Sequence, residues 1–171
     1  MSIATNTPSN ANFLSPLGFK FQIKKAPNVN FFVQSVVMPS ITLGSTYIPT
    51  PFVRQVFAGD HLEYGDLSIT FKMDEDLKSY MEIHNWLVGI GKPDNFDQYR
   101  DLTLADQGEG VYSDLTLTIL SSAMKPIHEV VFLDSFPIDL TALAFDTRLN
   151  DVEYLEATCT FKFRKYTITT L

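Results

Sequence analysis

Three histidines, one cysteine and several clusters of acid are the residues of this 171-residue chain that could carry chemistry. His61, His84 and His128 lie far apart, without the spacing that lets a short segment hold a metal ion. Cys159 is alone, which excludes an internal disulfide and a cysteine-based zinc cluster. It falls on the apolar side of an alternating stretch and reads as a buried structural thiol. Asp74, Glu75 and Asp76 could bind calcium or exchange protons. They also stand just before a run of helical spacing, where acids complement exposed N–H groups and the positive end of the macrodipole. Asp94, Asp97, Asp101 and Asp106 lack the spacing of a calcium-binding loop. Gly89-Ile90-Gly91-Lys92 contains a Gly-x-Gly, but it closes a helical run rather than opening one. There is no Gly-x-Ser-x-Gly elbow and no phosphate loop. No catalytic constellation emerges, and no cofactor or metal is expected; the chain reads as a non-enzyme.

The elements that would position these residues are mostly strands. Leu67, Ile69, Phe71 and Met73 alternate with Asp66, Ser68, Thr70 and Lys72, the period of a half-buried strand. The acids at 74–76 follow, then Leu77, Tyr80, Met81, His84, Leu87 and Val88 at helical spacing, predicting one helix over about 74–89 with that face buried. Gly89, Gly91 and Pro93 end it. The wording of this strand recurs at Tyr112–Ile119 and Tyr154–Lys162, each with a Tyr, an acid two residues on, and then Ser or Thr alternating with apolar residues. Both internal symmetry and the general look of an antiparallel strand with one wet face account for that.

Taken in order, residues 1–18 read as a flexible arm carrying Phe13, Leu14 and Leu17. Phe19–Lys25 and Phe31–Val37 are expected to form a hairpin across Pro27-Asn28. Residues 45–60 contain Pro49 and Pro51 and cannot be a central strand. This excursion carries Tyr47, Ile48, Phe52, Val53, Val56 and Phe57, which need either a partner surface or a fold-back. Residues 92–112 read as a long polar loop. Further strands are expected over Asp114–Leu120, Val130–Leu133, Phe136–Leu143 and Val152–Thr169. The sum is a single, mainly β domain over 1–171: two packed antiparallel sheets, a sandwich or open barrel, with one flanking helix.

Composition narrows the function. The net charge of -7 argues against gripping nucleic acid, which requires Lys and Arg to displace counterions, and against docking on an anionic membrane. No apolar run is long enough to span a bilayer, and the N-terminal residues lack the layout of a signal peptide. A small β-barrel ligand carrier remains possible, but nothing marks a cavity. Assembly explains more. Open sheet edges must be protected or paired with a neighbour, and pairing around a symmetry axis removes them.

The order of features resembles the tail tube proteins of contractile-tailed bacteriophages. The features are the early strands, Met38-Pro39-Ser40-Ile41-Thr42-Leu43-Gly44, a proline-bearing excursion, Gly59-Asp60, Leu67–Phe71 with its acidic helix start, and His84-Asn85-Trp86. The match is best over Phe19–Trp86 and looser over the C-terminal strands. The resemblance implies a tube fold in hexameric rings that stack, with inner sheets merged into a lumen that conducts DNA without binding it. Implied partners are the tail sheath, baseplate or tube-initiator and tape-measure proteins. The implied location is the virion, assembled in the host cytoplasm. Related roles on the same fold are baseplate hub, tube initiator, tail terminator and the inner tube of type VI secretion. On this reading Asp66, Ser68, Thr70, Thr116 and Thr118 are expected to include lumen-facing positions. Phe13, Leu14, Leu17, Tyr47, Ile48, Phe52, Val53 and Phe57 are expected to carry contacts between subunits and rings.

Overall fold

Alternation of apolar and hydroxyl residues produces nine strands among the described residues, and the polar turns between them admit three helices. The structure, a computed structural model, describes residues 12–91, 95–104, 110–148 and 154–171. The strands are β1 (Phe19–Ile23), β2 (Val33–Val37), β3 (Ile41–Ile48), β4 (Gln55–Tyr64), β5 (Leu67–Lys72), β6 (Ser113–Leu120), β7 (Pro126–Leu140), β8 (Glu156–Lys162) and β9 (Lys165–Thr170). The helices are α1 (Pro27–Phe32), α2 (Lys78–Gly91) and α3 (Asp97–Leu104).

Seven strands follow the path β1-β6-β7-β8-β5-β2, with β9 also paired to β7. The path bends into two layers. Residues 126–133 of β7 pair with β6 and β9, and residues 136–140 pair with β8. The bend sits at Asp134, whose φ of 53° is rare for a non-glycine residue. Its N–H donates to Asp114 Oδ1 at 3.1 Å, and its carboxylate meets Arg164 Nε at 3.0 Å. Register runs through the bend unbroken: Leu133 faces Lys165 before it and Phe136 faces Lys162 after it. The two layers are therefore joined by one long, bent, antiparallel ribbon.

The faces turned toward each other form the core. Phe21, Ile23, Leu115, Leu117, Val130 and Phe132 come from one layer; Leu67, Ile69, Phe71, Ala157, Cys159 and Phe161 come from the other. β5, β6 and β8 alternate these with polar residues, as the burial pattern of β5 shows, so a one-residue slip would turn the core to water. The large Phe side chains fill the space between the layers, which leaves no barrel interior for a ligand among the described residues. Burial drives the Cys159 thiol pKa upward, with the Asp139 charge adding to it.

α2 covers the side between the layers through Ile83 and Trp86; the Trp86 ring lies 6.0 Å from Phe161, and its Nε1–H donates to Val111 O at 2.8 Å. The face expected from spacing was different. Ser79, Ile83, Trp86 and Gly89 are buried, while Met81 and His84 are exposed. Two small residues, Ser79 and Gly89, mark the buried side because they allow close approach: a Cβ on Gly89 would come within 3.3 Å of Leu102 in α3.

Other boundaries differ as well. β1 pairs with β6 and β2 with β5, so the expected hairpin does not form. α1 intervenes; Asn30 holds both the N–H and the C=O of Ile23, ending β1 where a strand partner would otherwise sit. The expected 92–112 loop contains α3, whose first N–H groups, those of Asp97 and Gln98, donate to Asn95 Oδ1. The single long C-terminal strand is split at residues 163–164 by the same bend as β7.

Candidate assembly surfaces

The residues singled out for chemistry are scattered. His61 lies on β4, His84 on α2 and His128 on β7. No group of three or more His, Cys, Asp or Glu that could hold a metal ion occurs among the described residues. Asp94 and Asp106 lie outside the described residues; Asp97 pairs with Arg100 at 3.0 Å within α3. Asp74 is a helix cap: its carboxylate accepts the N–H of Lys78 at 3.0 Å, the N–H of Ser79 at 3.0 Å and the hydroxyl of Ser79 at 2.6 Å. The cavity of about 620 Å³ beside α2 and α3 is lined by Lys24, Trp86, Gln98 and Asp101 among others, and none of the three histidines nor Cys159 is part of that lining.

What the fold does build is a set of unfinished surfaces. The largest is the hairpin β3–β4. It pairs only with itself, and all of β3 is exposed. It is the outward continuation of the β2–β5 pair. Val37 faces Ser68, the Gly65 N–H donates to Ser40 O, and Ile41 faces Tyr64, all in one register. One ribbon thus starts in the core and ends in solvent. Tyr64 anchors its root against Phe163 and Tyr166, at 5.6 and 5.4 Å between ring centres.

Side chains along the hairpin follow a telling pattern. Near the root, Ile41, Leu43, Leu62 and Tyr64 share one face, and Thr42 and Glu63 share the other. A register shift after Leu43 then bulges the chain. Gly59 sits at this bulge, where an added Cβ would lie 2.6 Å from the Gly44 carbonyl oxygen. Past the bulge both faces are oily: Tyr47 and Val56 on one, Ile48 and Phe57 on the other. Phe52, 97% exposed, stands at the tip with Val53, while Arg54 lies 5.4 Å over the Tyr47 ring. A two-stranded ribbon is marginal alone in water, and one apolar on both faces more so.

The arm adds to this surface. Phe13 and Leu17 are 96% and 85% exposed, and Leu14 is exposed beside Ser121 and Ile127. All eight residues expected to make contacts between copies are therefore solvent-facing in the isolated chain: Phe13, Leu14, Leu17, Tyr47, Ile48, Phe52, Val53 and Phe57.

The five residues expected to face a lumen fall into two groups. Ser68 and Thr70 lie on the outer face of the layer β2-β5-β8-β7, with Asp66 at its margin, ion-paired to Lys162. Thr116 and Thr118 lie on the outer face of the other layer. These two faces point away from the shared core, so one bore can take only one group. Their chemistry differs. The first presents hydroxyls on adjacent strands: Ser35, Thr70 and Thr158 in one row, Ser68 and Thr160 in the next, with Thr70 Oγ1 and Thr158 Oγ1 3.1 Å apart. The second sets Gln22, Thr116, Val131 and Thr167 in one row and Lys20, Thr118, Glu129 and Thr169 in the next, so its hydroxyls alternate with a charge pair and a valine.

Comparison with known proteins supports the fold alone. No family model and no curated protein matches the chain. Solved structures do. A chain of the anti-feeding prophage tube-terminating cap matches with a TM-score of 0.63 at 13% identity, covering 100% of both chains. A chain of the sheath–tube complex of an extracellular contractile injection system, PVC, matches with a TM-score of 0.63 at 13% identity, covering 94% of each. A chain of the PVC sheath/tube terminator matches with a TM-score of 0.57 at 15% identity, covering 94% of this chain and 99% of that one. This chain has the fold of tube and cap components of contractile injection systems.

Proposed function

We propose that this chain is a tail tube subunit: six copies form a ring, rings stack, and the tube conducts DNA out of a virion. The observation that carries the reading is the β3–β4 hairpin, anchored in the core at one end and apolar on both faces at the other, with all of β3 exposed among the described residues. A monomer would gain by burying it, and stable interfaces of this kind bury on the order of 2,000 Å² with apolar centres.

The bore is formed by the β2-β5-β8-β7 layer, with Asp66, Ser68 and Thr70 facing it; Thr116 and Thr118 face the opposite wall. Lys72 and Lys162 are outnumbered there by Asp66, Asp139 and Glu156, which leaves the face slightly acidic. DNA carries about one charge per 1.7 Å. A hydroxyl-bearing wall of slight negative charge does not grip it, and charges beyond roughly 8–10 Å are screened. The part is structural, not enzymatic. Its partners are further copies of itself, a sheath, a baseplate or initiator ring, and a tape-measure protein within. It would assemble in the host cytoplasm and remain in the particle.

A terminator is the second reading, favoured by the full-length match to a tube-terminating cap. A terminator makes one ring and stops; a tube subunit continues. Replacing Phe52 and Phe57 together with Ser should abolish stacking while leaving the thermal midpoint within about 2 °C, since neither residue touches the core. Unchanged tube length by electron microscopy would contradict the reading.

A further inference from the structure

β5 has a second feature at its other end. Where Lys72 leaves the sheet, Met73, Leu77, Phe145, Tyr154 and Leu155 line an apolar groove of about 480 Å³, with Asp74 and Glu75 on its rim. Phe145 is 75% exposed and Tyr154 72%. Leu77 is held at a φ of 56° by the tight turn in which its N–H donates to Asp74 O. A leucine in that conformation is strained, and such residues persist where the surroundings impose them. The Asp74 cap fixes this wall by holding the start of α2.

We propose that this groove receives the hairpin tip of a second copy of the chain, Phe52 and Val53 entering the apolar floor and Arg54 meeting Glu75. The inference rests on the tube reading and names the acceptor that reading lacks. Two observations select this occupant. The first is charge. Arg54 is the one charged residue between Ile41 and Ala58, while Asp74 and Glu75 outnumber Lys72, which lies 5.5 Å over the Tyr154 ring, around the groove, and Glu75 makes no ion pair among the described residues. The second is placement. The hairpin continues from the first residue of β5 and the groove opens beyond its last, about 20 Å away at strand rise. β3 alone extends about 26 Å outward at the same rise. Donor and acceptor at opposite ends of one strand make a heterologous contact, which joins successive copies head to tail.

The test uses cysteine pairing in the full chain, because buried Cys159 leaves a silent background. Proteins carrying Phe52→Cys and Tyr154→Cys are made singly and together, then oxidised with copper phenanthroline. The doubly substituted protein should give a ladder of disulfide-linked multimers on a non-reducing gel, and the singly substituted proteins, mixed, should give dimers only. Arg54→Glu and Glu75→Arg should each cut the pelletable polymer roughly tenfold, and the two together should restore it. Trp86 fluorescence confirms that each variant is folded. If Phe52→Ser blocks stacking but no Phe52–Tyr154 disulfide forms and the charge exchange fails to rescue, the hairpin reading stands and the groove is not its acceptor. If Phe52→Ser stacks normally, or the protein stays monomeric and gives no ladder, both are wrong.

Discussion

Asp74 links a strand to a helix through three hydrogen bonds, two of them to Ser79. Replacing it with Ala should lower stability by about 1 kcal/mol, the usual worth of a cap. The effect has a sign in pH. Partial desolvation raises the Asp74 pKa, but the bonds from Ser79 and Lys78 outweigh it and hold the carboxyl below its ordinary 3.8. A depressed folded value adds stability that is fully present above the unfolded value and is lost as pH falls through the folded one. In urea melts followed by Trp86 fluorescence, the gap between wild type and Asp74→Asn should be constant above about pH 5 and shrink as pH falls past the ordinary carboxylate value of about 3.9 and below it. A gap independent of pH would contradict it. The capping role was legible for Asp74, because an acid just before a helical run meets its first N–H groups; Asp76 pairs with Lys78 instead. The buried face of α2 was not legible. The expected face took in Met81 and His84, which are exposed, and left out Ile83 and Trp86, which with the small residues Ser79 and Gly89 make the buried side.

At the scale of elements, the chain is built from two long ribbons and a short pair. One ribbon joins the layers through β7, β8 and β9; the other carries β2 and β5 outward into the hairpin. The alternating strands β5, β6 and β8 could be read directly, since a period of two survives any partner. Their pairing could not. β1 with β6 and β2 with β5 are joined across long separations, and local spacing favoured a nearby hairpin that α1 prevents. Six residues with proline at the start are too few to show a helical period. The excursion could be read as unusual from Pro49 and Pro51 amid apolar residues, although its continuity with the core strands could not. The bulge gives a test. In Gly59→Ala the new methyl would meet the Gly44 carbonyl, so the ribbon must open or re-twist there. Stacking should fall sharply while the thermal midpoint stays near wild type, because the hairpin lies outside the core. A large loss of stability would mean that the hairpin supports the fold.

For the whole molecule, net charge of -7, hydroxyl-bearing outer faces and oily extensions at the ends describe a part rather than a finished object. Which face lines the bore was beyond reach of the sequence, since Ser68 and Thr116 sit in strands of the same wording; only the layer each joins separates them. Single cysteines distinguish the faces. In assembled tubes, Thr70→Cys should react with a small maleimide and resist a bulky polymer-linked one, and Thr116→Cys should react with both. The reverse pattern would put the bore on the other layer. The account depends most on incompleteness of the single chain, and electron microscopy of the purified full-length protein at rising concentration tests that directly. It predicts six-fold rings with a central hole, stacking into tubes as concentration increases. A uniform population of solitary monomers at the highest concentration, with no rings in any field, would contradict it.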